Sequence, residues 1–200
     1  ELMGQAVEEK RYQYLMLHKP AGLLTAARDS RAPTVMQLLP ESCARRKVLP
    51  VGRLDKDTTG LLLFTNDGEL AHRLLSPKRH VWKTYEATVT GRLTAADEET
   101  FARGIALSDF TALPARMEIL SAGEDESRAR VQVREGKFHQ IKRMFGALGH
   151  EVTALSRLTF GALRLPAELP PGQYRELTEE ELSALREEAG LTEPERNEDA

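Results

Sequence analysis

The 200-residue sequence predicts a mixed α+β fold with a mainly antiparallel sheet. Stretches with the alternation typical of strands are interspersed with stretches of helical periodicity, and some neighbouring strands are close enough in sequence to form hairpins. Apolar residues make up 40% of the chain, which is enough for a packed core. No repeat, linker or low-complexity stretch divides the sequence. We therefore expect one domain over residues 1–190 and a disordered acidic tail over residues 191–200.

The first part of the chain carries strand and turn signals. Residues 14–18 are apolar and rich in types that favour strands. Residues 19–22 place Pro at the second position and Gly at the fourth position of a β-turn. A short helix is expected over residues 34–39 because Thr34 is a favourable N-cap. A second strand is expected over residues 47–51.

A polar loop follows this strand. It covers residues 52–60 and is bracketed by glycines, which allow sharp entry and exit angles. Residues 61–65 then form a continuous apolar run, the pattern of a strand buried on both faces. Asp67 is placed to cap a helix that ends near residue 75.

The middle of the chain predicts a long strand and a helix. Residues 81–90 alternate strictly, so that Lys83 and Tyr85 share one face of the strand with three small or branched apolar residues. Residues 94–103 have a Thr at the N-cap position and a Gly just past the end, as in a capped helix.

The last third predicts a hairpin, an amphipathic helix and a closing helix. Residues 113–120 and 128–134 should pair around a turn at Gly123. An amphipathic helix is expected over residues 137–148 because apolar residues recur there at helical spacing. Further strands are expected over residues 152–158 and near residue 174, and a capping box predicts a helix over residues 178–189.

Charge is distributed unevenly along the chain. The net charge is −3, but residues 176–200 hold ten acidic and two basic residues and so carry −8. The other 26 basic and 21 acidic residues give residues 1–175 a charge of +5. A basic body favours a nucleic-acid partner, although an ordinary mixed surface would give the same balance.

Composition excludes several classes of protein. The single cysteine, Cys43, excludes an internal disulfide and a Cys-rich zinc site, and it indicates a reducing, cytoplasmic compartment. No stretch approaches the roughly 20 apolar residues that cross a bilayer, so no membrane partner is expected. The first ten residues show no signal peptide. His139 and His150 lack a third ligand at metal-binding spacing, which leaves surface or capping roles.

Five stretches carry a distinctive pattern. They are LHKPAG at residues 17–22, GRLDKDTTGLLL at 52–63, TNDG at 65–68, KTY at 83–85 and EGKFHQIKRM at 135–144. In order and spacing they resemble the motifs of RNA pseudouridine synthases of the RsuA type, although that family more often has Asn where this chain has His18. The resemblance extends over roughly residues 12 to 185.

The resemblance implies a two-lobed catalytic domain on a long, bent, mainly antiparallel sheet, with the active site in the cleft between the lobes. It implies no cofactor and no metal. We separately expect a monomer. The implied reaction is the site-specific isomerisation of uridine to pseudouridine in ribosomal RNA, free or in a ribosomal assembly intermediate. Residues 174–181 favour the small-subunit 16S RNA, and the large-subunit 23S RNA is the alternative.

Relatives of this type often carry an S4-like RNA-binding domain before the catalytic domain. This sequence shows none, since its first dozen residues are too few to form one. It also begins at Glu1 rather than Met, so we expect that residues of the natural N-terminus are missing. Either such a domain has been removed or this is a shorter member.

Asp55 is the candidate catalytic carboxylate. It lies in the predicted loop between two apolar strands, where a rigid scaffold can hold a reactive group. By spacing alone, Asp55 or Asp57 could simply hydrogen-bond loop amides. The resemblance assigns catalysis to Asp55, either as a nucleophile or as a base and electrostatic stabiliser at the junction of sugar and base. It leaves Asp57 to brace the loop.

Tyr85 is the second candidate. It lies on the apolar face of its strand, so its ring should point inward, as in an ordinary core tyrosine. The resemblance favours a ring that stacks on the flipped uracil, with a hydroxyl available for proton transfer.

Lys142 is the third candidate, and the resemblance makes it the cationic partner of Asp55. On a helix over residues 137–148 it falls at the edge of the apolar face and can reach inward, whereas Arg143 points further toward solvent and could meet a phosphate. Without the resemblance, both would be taken as solvated surface charges. The expected apolar face consists of Phe138, Ile141, Met144, Phe145 and Leu148.

Several basic residues are candidate RNA contacts, since long cationic side chains gain affinity by neutralising phosphates. Arg53 flanks Asp55 and could hold the RNA backbone once the base has left the stack. The full set is Arg53, Lys78, Arg79, Lys83, Lys137, Arg143 and Arg157.

Two other function classes compete with this interpretation. A non-catalytic RNA-binding protein of ribosome assembly could keep the same fold, but the presence of Asp55, Tyr85 and Lys142 argues against it. An unrelated acid–base enzyme could use Asp55 and Asp57 as a pair that shares a proton. No other feature of the sequence suggests a sugar or phosphate substrate, and no phosphate-cradling glycine loop is present.

Overall fold

The computed structural model describes residues 11–191. All but the first residue of the predicted acidic tail lie outside the described residues. The strands in the described part are β1 (Tyr14–Lys19), β2 (Leu49–Val51), β3 (Thr59–Thr65), β4 (Lys83–Thr90), β5 (Ile105–Ala106), β6 (Thr111–Ala112), β7 (Arg116–Ala122), β8 (Glu126–Val133), β9 (Val152–Phe160), β10 (Leu163–Arg164) and β11 (Tyr174–Glu176).

Short helices connect the strands. A 3₁₀ helix at Val35–Leu38 takes the place of the first predicted helix, and Thr34 caps it as expected. Within residues 11–191, no helix is long and apolar enough to cross a membrane. The α-helices are α1 (Glu41–Arg45), α2 (Gly68–Leu75), α3 (Ala95–Arg103), α4 (Gln140–Ala147) and α5 (Glu179–Glu188).

One large sheet organises the molecule, and its strand order is β11-β1-β3-β9-β4-β8-β7. β10 adds to β9, and β2 adds to β3. These pairs are antiparallel, except that β3 meets β9 in parallel over Thr59–Ser156 and Gly60–Arg157. The predicted α+β fold with a mainly antiparallel sheet is therefore confirmed.

The parallel contact joins two halves of the sheet, and apolar side chains pack on each half. The terminal half contains β1, β2, β3 and β11 with α2 and α5, and its two core clusters include Met16, Phe64 and Leu185. The central half contains β4, β7, β8 and β9 with α3 and α4, and its cluster includes Phe101 and Phe145. The resemblance implies an active site in the cleft between the two lobes, and the groove where these halves meet corresponds to that cleft.

The predicted caps are confirmed because side-chain oxygens satisfy the free amides of helix starts. The carboxylate of Asp67 accepts a hydrogen bond from the amide of Leu70 at 3.2 Å and begins α2. Thr178 and Glu181 form the expected capping box of α5. Residues 61–65 of β3 are buried on both faces, as their apolar run predicted.

The prediction for α4 is wrong at its start. The helix begins at Gln140 rather than at residue 137, because His139 adopts the left-handed conformation with φ of 50° and interrupts the helical path. The side chain of Gln140 accepts a hydrogen bond from the amide of Lys137 at 3.1 Å and holds this turn. As a result, Phe138 does not join the apolar face and is 75% exposed.

Candidate active site

A buried lysine fixes the loop between β2 and β3 through hydrogen bonds to its backbone. Lys19 is 0% exposed, at the end of β1. Its ammonium donates to the carbonyl oxygens of Pro20, Lys56 and Thr58 at 2.8 to 3.0 Å. Two of these three acceptors belong to the loop, so the ammonium fixes the backbone on the C-terminal side of Asp55. Desolvation by burial lowers the pKa of Lys19 to about 8.

A second tie fixes the other side of the loop. The hydroxyl of Thr25 donates to the carbonyl of Leu54 at 2.9 Å, and the amide of Leu54 donates to the hydroxyl oxygen of Thr25 at 3.2 Å. The side chain of Leu54 is buried in the core of the terminal half. Asp55 is therefore presented by a backbone that is anchored on both sides, which suits a group that must be pre-organised.

Gly60 allows the two halves of the sheet to approach closely. A Cβ atom at this position would lie 2.1 Å from the carbonyl oxygen of Arg157 on β9. Its φ of 108° also lies in the region that favours glycine. Only glycine satisfies both conditions, so this residue fixes how close β3, which follows the loop, comes to β9.

A lysine and a histidine of the central half contact Asp55. The Nζ atom of Lys142 lies 3.5 Å from one carboxylate oxygen of Asp55, and Nε2 of His139 lies 3.3 Å from the other. The side chains of Asp55 and Lys142 are 28% and 26% exposed, so their interaction is only partly screened by solvent. Lys142 also lies 3.8 Å from a carboxylate oxygen of Asp57, whose side chain is 82% exposed.

Tyr85 lies on the same pocket. It is half-buried and packs against the core of the central half and one core cluster of the terminal half. Together with Asp55 and Lys142 it lines a pocket of about 80 Å³. The structure therefore brings the three predicted catalytic residues together, from a loop, a strand and a helix that are far apart in sequence.

Five of the seven predicted RNA contacts fall into two groups. Arg53 and Lys137 are exposed and lie on the wall of the pocket that Asp55 lines, and Lys83 is half-buried beside it. Lys78 and Arg79 are exposed but do not line that pocket.

Arg143 and Arg157 differ from the expectation of free surface cations. Arg143 forms an ion pair with Asp109, and its guanidinium lies 5.3 Å from the centre of the Phe110 ring. Arg157 is 2% exposed, and its Nε atom donates to the carbonyl of Leu61 at 2.8 Å. Arg157 lies on β9 at the junction of the halves, where the sheet and neighbouring side chains cover it.

His139 was not predicted as a site residue. It occupies the N-cap position of α4 and is partly exposed, in line with the expected surface or capping role, but its side chain makes no capping hydrogen bond and contacts Asp55 instead. Its left-handed backbone turns the ring toward Asp55, a change of direction that helical periodicity could not reveal. His150 has a structural contact instead, since Nδ1 lies 2.6 Å from the carbonyl of Thr90. Among residues 11–191, no group of three or more His, Cys, Asp or Glu side chains is placed to hold a metal.

The arrangement suits chemistry at the bond between a sugar and a base, because a carboxylate, a cation and an aromatic ring share one pocket. Residues 13–147 match the family model described as RNA pseudouridylate synthase. The chain belongs to this family. It is an RNA pseudouridine synthase and thus an enzyme that isomerises uridine in RNA.

Two relatives of this pseudouridine synthase, both named as pseudouridine synthases, match most of the chain. The chain is 45% identical over 185 residues to "Uncharacterized RNA pseudouridine synthase YtzG" of Bacillus subtilis, which covers 92% of this chain and 77% of the relative. It is 41% identical over 175 residues to "Ribosomal small subunit pseudouridine synthase A" of Escherichia coli K12, over 86% of this chain and 74% of the relative.

Solved structures lead to the same fold. The chain superimposes on a protein described as "Crystal structure of pseudouridylate synthase" with a TM-score of 0.81 and 39% identity, over 87% of this chain and 74% of the other. A more distant likeness, at 19% identity and a TM-score of 0.56, is to the archaeal box H/ACA Nop10–Cbf5 complex and concerns the fold alone.

Proposed function

We propose that this synthase converts a uridine of small-subunit ribosomal RNA into pseudouridine, with Asp55 as its catalytic carboxylate. The observation that carries the proposal is the position of Asp55, 3.5 Å from Lys142 in the pocket that Tyr85 also lines. The RNA target is supported by the E. coli relative, whose name specifies the ribosomal small subunit. The large-subunit alternative has no such support among these relatives.

The reaction exchanges one bond of the nucleotide for another. The bond between N1 and C1′ breaks, the uracil turns, and C1′ bonds to C5. The hydrogen on C5 leaves as a proton and N1 gains one, so no electrons are exchanged with an outside partner. The negative charge of Asp55 is suited to stabilise positive charge at C1′, to attack it, or to accept a proton from the sugar.

The neighbours of Asp55 have complementary roles. Lys142 stabilises the carboxylate charge and keeps it aimed into the pocket. Tyr85 offers an aromatic face on which the uracil can stack and a hydroxyl that can move a proton. His139 holds the second carboxylate oxygen, which limits rotation of the Asp55 side chain.

The proposal is tested with RNA labelled with tritium at C5 of uridine. The wild-type protein should release tritium from a small-subunit ribosomal transcript, or from an assembly intermediate that contains it, and Asp55→Asn should release none. Pseudouridine mapping in a strain that lacks the gene should then show one missing site in small-subunit RNA. A missing site in large-subunit RNA instead would contradict the proposed target.

A further inference from the structure

Phe138 is the most exposed large apolar side chain among residues 11–191. It is 75% exposed, whereas the next value in this part of the chain is 46%. Its two neighbours in the chain, Lys137 and His139, both line the pocket that holds Asp55. Single exposed apolar side chains are common on protein surfaces. Phe138 differs from them in the backbone that exposes it and in the ring that it contacts.

The backbone moves Phe138 out of the core. Helical periodicity over residues 137–148 would place it beside Ile141 on the buried face of α4. The left-handed conformation of His139, with φ of 50°, delays the helix to Gln140 and turns the preceding residue away from that face. The fold therefore accepts a strained backbone and also loses the burial of a large apolar side chain. Strain of this kind is typical of functional sites.

The turn that carries Phe138 is fixed by buried hydrogen bonds. Gln140 is 5% exposed, and its side chain accepts from the amide of Lys137 at 3.1 Å and donates to the carboxylate of Glu135 at 2.9 Å. The same Glu135 oxygen accepts from the amide of Leu113 at 2.7 Å. The backbone of Phe138 is thus held in place before any ligand binds, which lowers the entropy lost on binding.

One face of the Phe138 ring is already covered. It stacks on the ring of His139, with the ring centres 3.8 Å apart and the planes inclined by 18°. The Nε2 atom of His139 in turn lies 3.3 Å from a carboxylate oxygen of Asp55. The exposed fraction of Phe138 leaves its other face open to solvent. A flat aromatic face held in this way is a platform on which a nucleobase can stack.

The reaction creates a base that needs such a partner. The target uracil must leave its stack before it can reach Tyr85 and Asp55 inside the pocket. The bases beside it in the RNA then each lose a stacking partner on one face. An aromatic ring at the rim of the pocket can replace that partner, whatever the base. Lys137, exposed beside Phe138, adds a positive charge that attracts the RNA backbone.

We infer that the open face of Phe138 stacks on a base adjoining the target uridine and holds the RNA strand at the rim of the pocket. The stack then runs from the RNA base through Phe138 to His139, which contacts Asp55. Phe138 contacts the substrate but none of the reacting atoms, so it is a binding residue. The inference rests on the proposed role of the pocket, and it holds for either ribosomal subunit as the target.

The kinetic test uses total RNA from cells that lack the gene, labelled with tritium at C5 of uridine. This RNA contains the unmodified target, whichever RNA molecule carries it. Phe138→Ala should raise KM for tritium release about tenfold and leave kcat close to the wild-type value, because stacking away from the reacting bonds binds substrate and transition state alike. Phe138→Tyr and Phe138→Trp retain a ring and should keep the wild-type KM.

Leu49→Ala is the matched control. It removes another exposed apolar side chain, on β2, that does not line the pocket, so KM should not change. Melting curves should show that all four variants fold. A wild-type KM for Phe138→Ala would overturn the inference. A loss confined to kcat would overturn it too, since it would mean that Phe138 only supports His139.

A second measurement locates the base. Ultraviolet irradiation of the wild-type protein with the same RNA should crosslink Phe138 to a base next to the modified uridine. Mass spectrometry of the digested adduct identifies the residue, and reverse-transcription stops identify the position in the RNA. A crosslink from Phe138 to a site remote from the modified uridine would contradict the inference.

The two proposals fail separately. The ribosomal target is read from pseudouridine maps, whereas stacking is read from KM and from the position of the crosslink. A large-subunit target together with the tenfold effect on KM would refute the proposed target and leave the role of Phe138 intact. A small-subunit target with an unchanged KM for Phe138→Ala would do the reverse.

Discussion

At the scale of single residues, two aspartates that are only two positions apart in the chain have different surroundings. Asp55 is enclosed and contacts Lys142 and His139, whereas Asp57 projects into solvent with 82% of its side chain exposed. We expect Asp55→Asn to fold and bind RNA but to form no detectable pseudouridine, because the negative charge is lost and the shape is kept. The measurement is tritium release with a melting curve.

Asp57→Asn is the matched control for that variant. It should keep most of the activity and lose at most about 1 kcal/mol of stability, since its contact with Lys142 is long and solvated. A normally melting Asp57→Asn protein without activity would show that the two aspartates act as a pair.

Tyr85 offers a ring and a hydroxyl, and two substitutions separate them. If stacking dominates, Tyr85→Phe should keep substantial RNA affinity and Tyr85→Ala should lose it. If the hydroxyl moves a proton, Tyr85→Phe should bind normally and turn over slowly. Single-turnover rates and RNA dissociation constants distinguish the cases. Wild-type behaviour of both variants would remove Tyr85 from the active site.

At the scale of elements, substitutions at two glycines with similar φ angles can test why β3 and β9 approach each other so closely. Gly60 and Gly22 have φ of 108° and 98°, but a Cβ at Gly22 would meet nothing within 4 Å. Gly22→Ala should cost about 1 kcal/mol, the strain of a positive φ alone. Gly60→Ala should cost clearly more, because the strands must separate, and should slow the reaction. Urea unfolding and tritium release measure both effects.

Equal losses of stability at the two positions would contradict that explanation. They would mean that backbone conformation, rather than contact between β3 and β9, requires glycine at Gly60.

Local patterns predicted most elements but not the turns that depend on distant contacts. Strong periodicity and capping residues gave α2, α3, α5 and the long strands. The helix α1, the short pair β5–β6 and the two-residue strand β10 were not predicted, because two to five residues carry too little pattern. In the site, Asp55, Tyr85 and Lys142 could be predicted because their motifs resemble those of the family. The contact of His139 with Asp55 could not be predicted, because it depends on the left-handed backbone conformation of His139 itself.

At the scale of the whole molecule, two lysines link stability to pH. Burial lowers the pKa values of Lys19 and Lys83 to about 8, from an ordinary value of 10.5. Between these values the unfolded chain binds more protons than the folded protein. The free energy of unfolding contributed by these groups therefore rises with pH over this range. Above pH 10 the raised pKa of Tyr14, caused by burial and by Asp67, acts in the opposite direction.

We expect urea unfolding to show greater stability at pH 9.5 than at pH 8, relative to Lys83→Met at the same two values. The variant keeps Lys19 and should retain only part of the increase. An identical pH dependence in both proteins would show that Lys83 is not desolvated in the folded state.

The division of the sheet into a terminal and a central half affects the order in which the two halves can fold during synthesis. The core of the central half draws on residues from Ala87 to Leu155, one continuous stretch that leaves the ribosome before β11 and α5. The terminal half needs β11 and α5, which follow the central half in the chain, to cover strands that precede the central half. The central half can therefore fold while synthesis continues, whereas the terminal half and its loop with Asp55 must wait until β11 and α5 have been made. Lys142 would then be in place before its carboxylate partner.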